Sequence, residues 1–197
     1  MSLVPNHIRN LLRYKAGKPI DEVKRELGLE KVIKLASNEN PLGPSLKAIK
    51  AIESSLKSIS LYPDSNGFYL REKLSEKFSL DIENVVLGAG SEGIMATIMR
   101  TFLNDSDHIL ATKNSFIGFR VLANASGKKI DWVPMREYAY DLNAMLDSIH
   151  DKTKIIYLAN PDNPTGTYFN KSMFDDFIKQ VPDRCLVILD EAYCEYA

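Results

Sequence analysis

Beyond residue 84 the chain alternates short apolar runs with longer stretches of helical periodicity. The runs are NVVLG (84–88), HILAT (108–112), KIDWV (129–133), KIIYLA (154–159) and CLVILD (185–190). Helical spacing fills most of the intervals, near Ser91–Leu103, Gly118–Ala125, Leu142–Ile149 and Lys171–Gln180. Parallel strands need a crossover between them, and a helix is the usual one. The alternation therefore predicts an α/β fold on a mainly parallel sheet. In such sheets ligands gather beyond the carboxyl ends of the strands.

Residues 1 to about 45 read instead as an N-terminal arm. Short amphipathic helices are expected around Ile8 to Tyr14 and Asp21 to Leu27, then a strand-like VIKLA and the loop SNENPLGPS. From Ser45, the expected N-cap, SLKAIKAIESSLKS places Leu46, Ile49, Ile52 and Leu56 on one helical face. The turn-rich YPDSNG and the charged amphipathic helix FYLREKLSEKF follow.

Charge excludes some partners. Lys and Arg number 25 against 26 Asp and Glu, a net charge of -1, with the basic residues scattered. Neither nucleic acid nor an anionic membrane is indicated. No apolar segment is long enough for export or for a membrane span, and a cytoplasmic setting is expected. Cys185 and Cys194 suggest neither a zinc site nor a disulfide framework. His7, His108 and His150 stand far apart in sequence and are assigned no metal role.

Three loops carry chemistry. In VVLGAGSEGIMATIM, glycines 88, 90 and 93 spell G-x-G-x-x-G ahead of a helix, and such a helix start suits a phosphate. A nicotinamide dinucleotide also asks for an acidic residue at the end of the next strand, where HILAT is followed by Lys113 and Asn114. In LANPDNPTGTYF, a strand exit presents Asn160, Asn163 and Thr165 at the carboxyl edge. In CLVILDEAYCEYA, Asp190 ends a buried strand with Glu191 and Tyr193 beyond it. A carboxylate there needs a cationic or donor partner, and a protonated heterocyclic nitrogen is a suitable one.

Taken in order, SNENPLGPS, YPD…LREKL, GAGSEG, NPDNPTG and LDEAY resemble the fold type I pyridoxal phosphate aminotransferases, most of all the histidinol-phosphate aminotransferases. The resemblance runs from about Ile33 to the last residue. It implies a three-layer αβα large domain, here residues 46–197 and only part of one, behind an arm of residues 1–45. It implies pyridoxal 5'-phosphate as cofactor, with an amino donor and a 2-oxo acid as substrates. By the same resemblance Asp190 pairs with the pyridinium nitrogen, and Asn163 and Tyr193 bond the ring's phenolic oxygen. Phe116 stacks on the ring, where the family often has Tyr. Gly90, Ser91 and Glu92 present backbone N–H groups to the phosphate. Tyr62 reaches the phosphate of a neighbouring subunit's cofactor, implying a homodimer, and Asn38 lies in a loop that closes over substrate. The family's Schiff-base lysine lies in a Ser-x-Ser-Lys-type segment downstream of the Asp-Glu-Ala-Tyr motif, and no lysine here has that context. The chain is thus expected to be an N-terminal fragment, inactive alone. Aromatic amino acid donors, a phosphothreonine decarboxylase relative, and a non-catalytic cofactor-binding module remain open alternatives.

Overall fold

A computed structural model describes residues 2–11 and 17–197 of the chain. They form two compact units, Met1–Leu12 with Val86–Ala197, and Arg13–Val85.

The first unit opens with helix α1 (Asn6–Arg9). The helix expected around Ile8 to Tyr14 extends into residues 12–16, which lie outside the described residues. The second unit holds α2 (Ile20–Leu27), α3 (Leu46–Ser55) and α4 (Phe68–Phe78). Ser45 is the N-cap of α3, though its side chain makes no capping bond. The expected apolar face forms, but Leu46, Ile52 and Leu56 stay exposed. The turn before α4 is closed by Asp64, whose carboxylate accepts the backbone N–H groups of Asn66 and Phe68, both at 2.9 Å. Those two bonds hold its carboxyl below the usual carboxylate range.

The rest of the first unit runs α5 (Gly90–Phe102), β1 (His108–Thr112), α6 (Ile117–Ala125), β2 (Lys129–Val133), α7 (Leu142–Asp147), β3 (Thr153–Ala159), α8 (Lys171–Ile178) and β4 (Leu186–Asp190). The sheet order is β2-β1-β3-β4 and every pairing is parallel. Helix starts are fixed locally. Asp141 accepts the Ala144 N–H ahead of α7, and Asn170 accepts the Met173 N–H ahead of α8. Each such cap contributes about 1 kcal/mol.

Alternation along β1 and β3 builds two cores. Ile109, Ala111, Ile155, Tyr157 and Ala159 face one side, where Met95 and Met99 of α5 and Phe119 and Ala123 of α6 cover them. Leu110, Ile156 and Leu158 face the other, against Leu142 and Met145 of α7 and Phe177 of α8. The result is the expected three-layer αβα arrangement. Among the described residues, no helix is long and apolar enough to cross a membrane.

Two expected strands are absent. Residues 85–88 of NVVLG are extended at Val85 (φ -106, ψ 117) but join no sheet, and Val86 is 76% exposed. VIKLA is likewise unpaired, with Ile33 and Leu35 exposed. The sequence correctly marks both as extended and apolar, but a strand exists only when a neighbour takes its N–H and C=O groups. The sheet is made of β2, β1, β3 and β4, and neither run is one of its strands.

Candidate functional site

At the carboxyl end of the sheet a cavity of about 160 Å³ is lined by Ser91, Phe116, Asn163, Asp190 and Tyr193, with Ala159, Pro161 and Ala192 completing the wall. These side chains come from four separate segments that the parallel topology brings to one edge. Ser91 lies in the first turn of α5, whose opening N–H groups have no partner within the helix and whose dipole puts its positive end there. Gly90 begins that helix at φ +69, a left-handed conformation natural to glycine, and a side chain there would meet nothing within 4 Å. Gly90 and Glu92 flank Ser91 without lining the cavity themselves.

Phe116 caps α6. Its ring lies so close to Gly118 that a Cβ at 118 would sit 2.5 Å from Phe116 Cζ. Glycine at 118 is therefore what lets the ring occupy this place.

Asp190 ends β4 beside Ala159 of β3. The strand is half-buried rather than buried as expected, because β4 lies at the edge of the sheet. Its Oδ2 accepts the Tyr157 hydroxyl at 2.9 Å and its Oδ1 the Ala192 N–H at 3.2 Å. Tyr157 stacks on Phe119, with centroids 3.8 Å apart and planes at 9°. Burial, and then the negative charge of Asp190, push the Tyr157 hydroxyl well above its ordinary range. It stays protonated and so keeps donating to the carboxylate.

The loop carrying Asn163 is held from beneath by Asp162, only 3% exposed. Its Oδ1 accepts the Ser115 hydroxyl, and its Oδ2 accepts the Thr165 hydroxyl at 2.8 Å and the Thr165 N–H at 3.2 Å. Ser115 and Tyr140 bond through their hydroxyls at 2.8 Å, and Ala159 donates its N–H to Tyr140 at 3.0 Å. The expected turn chemistry of LANPDNPTGTYF is thus present, but Asp162 organises it. Asn160 is turned to Phe169, bonding its backbone N–H and C=O. Tyr62, fully exposed, and Asn38 belong to the other unit.

The supporting residues Ser115, Tyr140, Tyr157 and Asp162 escaped the sequence reading. For Tyr157 a signal existed: it shares its face of β3 with Ala159 and carries a hydroxyl inside an otherwise apolar run. Tyr140 joins the network across the fold, and nothing in its local sequence announces that.

Residues 30–197 match the family model described as aminotransferase class I and II. The chain belongs to that family. It is 43% identical over 196 residues to histidinol-phosphate aminotransferase 2 of Pasteurella multocida, covering 100% of this chain and 54% of that protein. It is 42% identical to histidinol-phosphate aminotransferase 1 of Idiomarina loihiensis, covering 100% of this chain and 53% of the relative. Among solved structures, the histidinol-phosphate aminotransferase of Sinorhizobium meliloti, in complex with pyridoxal-5'-phosphate, superposes at a TM-score of 0.89 and 24% identity. It covers 100% of this chain and 53% of that one. The Clostridium acetobutylicum histidinol-phosphate aminotransferase gives 0.72 at 26% identity, over 82% of this chain and 47% of that one. The chain spans about half the length of the curated relatives it matches. The glycine loop leads into α5, which begins at Gly90. The nicotinamide reading of Gly88, Gly90 and Gly93 is set aside, because that fingerprint needs a strand before the helix and residues 85–88 form none.

Proposed function

We propose that this chain is part of a pyridoxal phosphate-dependent aminotransferase that moves the amino group of histidinol phosphate to 2-oxoglutarate, working as a cytoplasmic homodimer. The observation that carries the reading is the single cavity in which a helix N-terminus, an aromatic ring, an amide, a phenol and a strand-end carboxylate converge. That set matches a phosphorylated pyridine: anion binding at one wall, a flat ring face at another, and an acceptor for a ring N–H at the third.

Bound pyridoxal phosphate supplies an electron-accepting ring. The chain's own residues prepare it. Asp190 accepts a hydrogen bond from the ring nitrogen and holds the proton there, while the Tyr157 hydroxyl and the Ala192 N–H fix both carboxylate oxygens. Asn163 and Tyr193 donate to the phenolic oxygen, Phe116 covers the ring and keeps water from that face, and Gly90 to Glu92 hold the phosphate. Tyr62 serves a neighbouring subunit and Asn38 a substrate-side loop. We assign the cofactor-binding part to residues 46–197 and treat 1–45 as an arm. No described residue lining the cavity is a lysine, so the chain alone is expected to hold cofactor without turnover.

Equilibrium dialysis of the chain against pyridoxal phosphate tests the binding. Saturable retention that falls at least tenfold in Asp190→Asn is expected, and equal retention in both would sink the reading. For the substrate, a longer chain including the downstream lysine segment is assayed with histidinol phosphate, aromatic amino acids and phosphothreonine in parallel. Preference for histidinol phosphate is expected, and preference for another donor overturns that part alone. No observation on the cavity favours a purely non-catalytic module.

A further inference from the structure

The end of the sheet opposite the cavity holds a second cluster that the cofactor chemistry leaves unused. His108 opens β1, Asp131 lies at the middle of β2, and His150 sits in the turn between α7 and β3. Far apart in sequence, the three meet on the α7 face of the sheet. His108 Nδ1 is 2.7 Å from Asp131 Oδ2, and His150 Nε2 is 2.8 Å from the same oxygen. All three donor atoms lie within 4.8 Å of one another. The two rings meet edge to face, centroids 4.8 Å apart.

We infer that His108, Asp131 and His150 form a binding site for a divalent cation of the zinc type, with water as the remaining ligand. Two imidazole nitrogens and one carboxylate oxygen are a donor set that Zn²⁺ takes in tetrahedral sites that keep one position open. Hard cations such as Mg²⁺ prefer oxygen-only sets and keep their water.

The backbone already places the ligands. The His108 N–H donates to Lys152 O at 2.8 Å, the His150 N–H to Thr153 Oγ1 at 3.1 Å, and Arg184 Nη2 to His150 O at 2.9 Å. The His108 side chain is 11% exposed and that of His150 43%, so the cluster is anchored on one side and open to entry on the other. Tetrahedral ligands at a zinc distance of about 2 Å stand about 3.3 Å apart. The two close pairs therefore need to open by about half an ångström, and the two histidine nitrogens, up to 4.8 Å apart, to close by about 1.5 Å, through rotation of the more exposed His150 ring. On binding, the ring nitrogen of each histidine that now meets Asp131 turns to the metal, and the other ring nitrogen carries the N–H. The weak bond from the Lys152 N–H to His150 Nδ1, at 3.2 Å, gives way to water.

The test is a zinc titration of the chain in phosphate-free buffer, in competition with a chromophoric chelator and without pyridoxal phosphate. One zinc per chain is expected, with Mg²⁺ unable to displace it. His150→Ala and Asp131→Asn, both at partly exposed positions, should each weaken binding at least tenfold, while Cys194→Ser leaves it unchanged. Cobalt in place of zinc should give visible bands of tetrahedral nitrogen and oxygen ligation in the unaltered chain and lose them in His150→Ala. Absence of saturable zinc, binding indifferent to His150→Ala, or binding lost in Cys194→Ser would overturn the proposal.

Discussion

Tyr157 and Tyr140 place their hydroxyls where a phenolate would have little water and an unfriendly charge nearby. Burial dominates at both, and Asp190 adds repulsion at Tyr157, so each hydroxyl is held well above its ordinary range. At Tyr140 the bonds with Ser115 and the Ala159 N–H offset part of the rise without reversing it. The sign follows directly. The folded chain favours the protonated phenols more than the unfolded chain does, so their contribution to stability is fully present below pH about 10. It is lost as the pH rises beyond that value. Tyr140 and Tyr157 should therefore resist alkaline titration until the chain unfolds. Tyrosinate absorbance followed alongside circular dichroism checks this, and Tyr157→Phe and Tyr140→Phe should each remove one late-titrating group. Titration of Tyr140 and Tyr157 near the ordinary value, with the chain still folded, would contradict the burial argument.

The element that matters most to the cavity is the start of α6, because it fixes Phe116. A Cβ at Gly118 would meet Phe116 Cζ at 2.5 Å and Cε1 at 2.6 Å, so Gly118→Ala must swing the ring out of place. Alanine is the better helix former by about 1 kcal/mol, which offsets the strain. We expect the melting temperature to stay within a few degrees while retention of pyridoxal phosphate falls several-fold, measured by dialysis beside a thermal melt. An unchanged retention would remove Phe116 from the site. Elements were also where the sequence spoke most clearly. α5 to α8 and β1 to β4 lie where period and turn residues put them, because their apolar faces are buried against immediate neighbours in the same sheet. NVVLG and VIKLA carry the same local signal, yet form no ladder, because pairing depends on a partner that a local pattern cannot name. The same division holds in the site. Asp190, Asn163 and the glycine loop were legible as strand ends and a helix start, each a local feature. The Tyr157–Asp190 and Ser115–Tyr140–Asp162 contacts join residues 25 to 47 positions apart and exist only once the strands are aligned. His108 and His150, dismissed for their spacing, meet at Asp131 for the same reason.

At the scale of the whole chain, burial is divided unevenly between the two units. Every buried apolar residue of the described chain, from Met95 to Phe177, belongs to the unit that holds the sheet. No described residue from 17 to 85 reaches the buried class, although α2, α3 and α4 together bring several large apolar side chains. Ile52 is 62% exposed, Tyr69 80% and Leu70 55%. Helices as short as these are marginal without a packed face, since nucleation is costly and propensity alone rarely offsets it. Local opening within residues 17–85 should therefore cost little, whereas β1 and β3 open only with the collapse of both cores. Amide hydrogen exchange read by mass spectrometry makes the contrast measurable. Peptides from 17–85 should exchange orders of magnitude faster than peptides spanning Ile109–Ala111 and Ile155–Leu158. Raising the chain concentration discriminates further: if a second copy covers the exposed face of α3, protection within 46–55 rises with concentration while the sheet stays unchanged. Strong protection of 17–85 in dilute monomer would show that this unit is stabilised by something other than buried apolar surface.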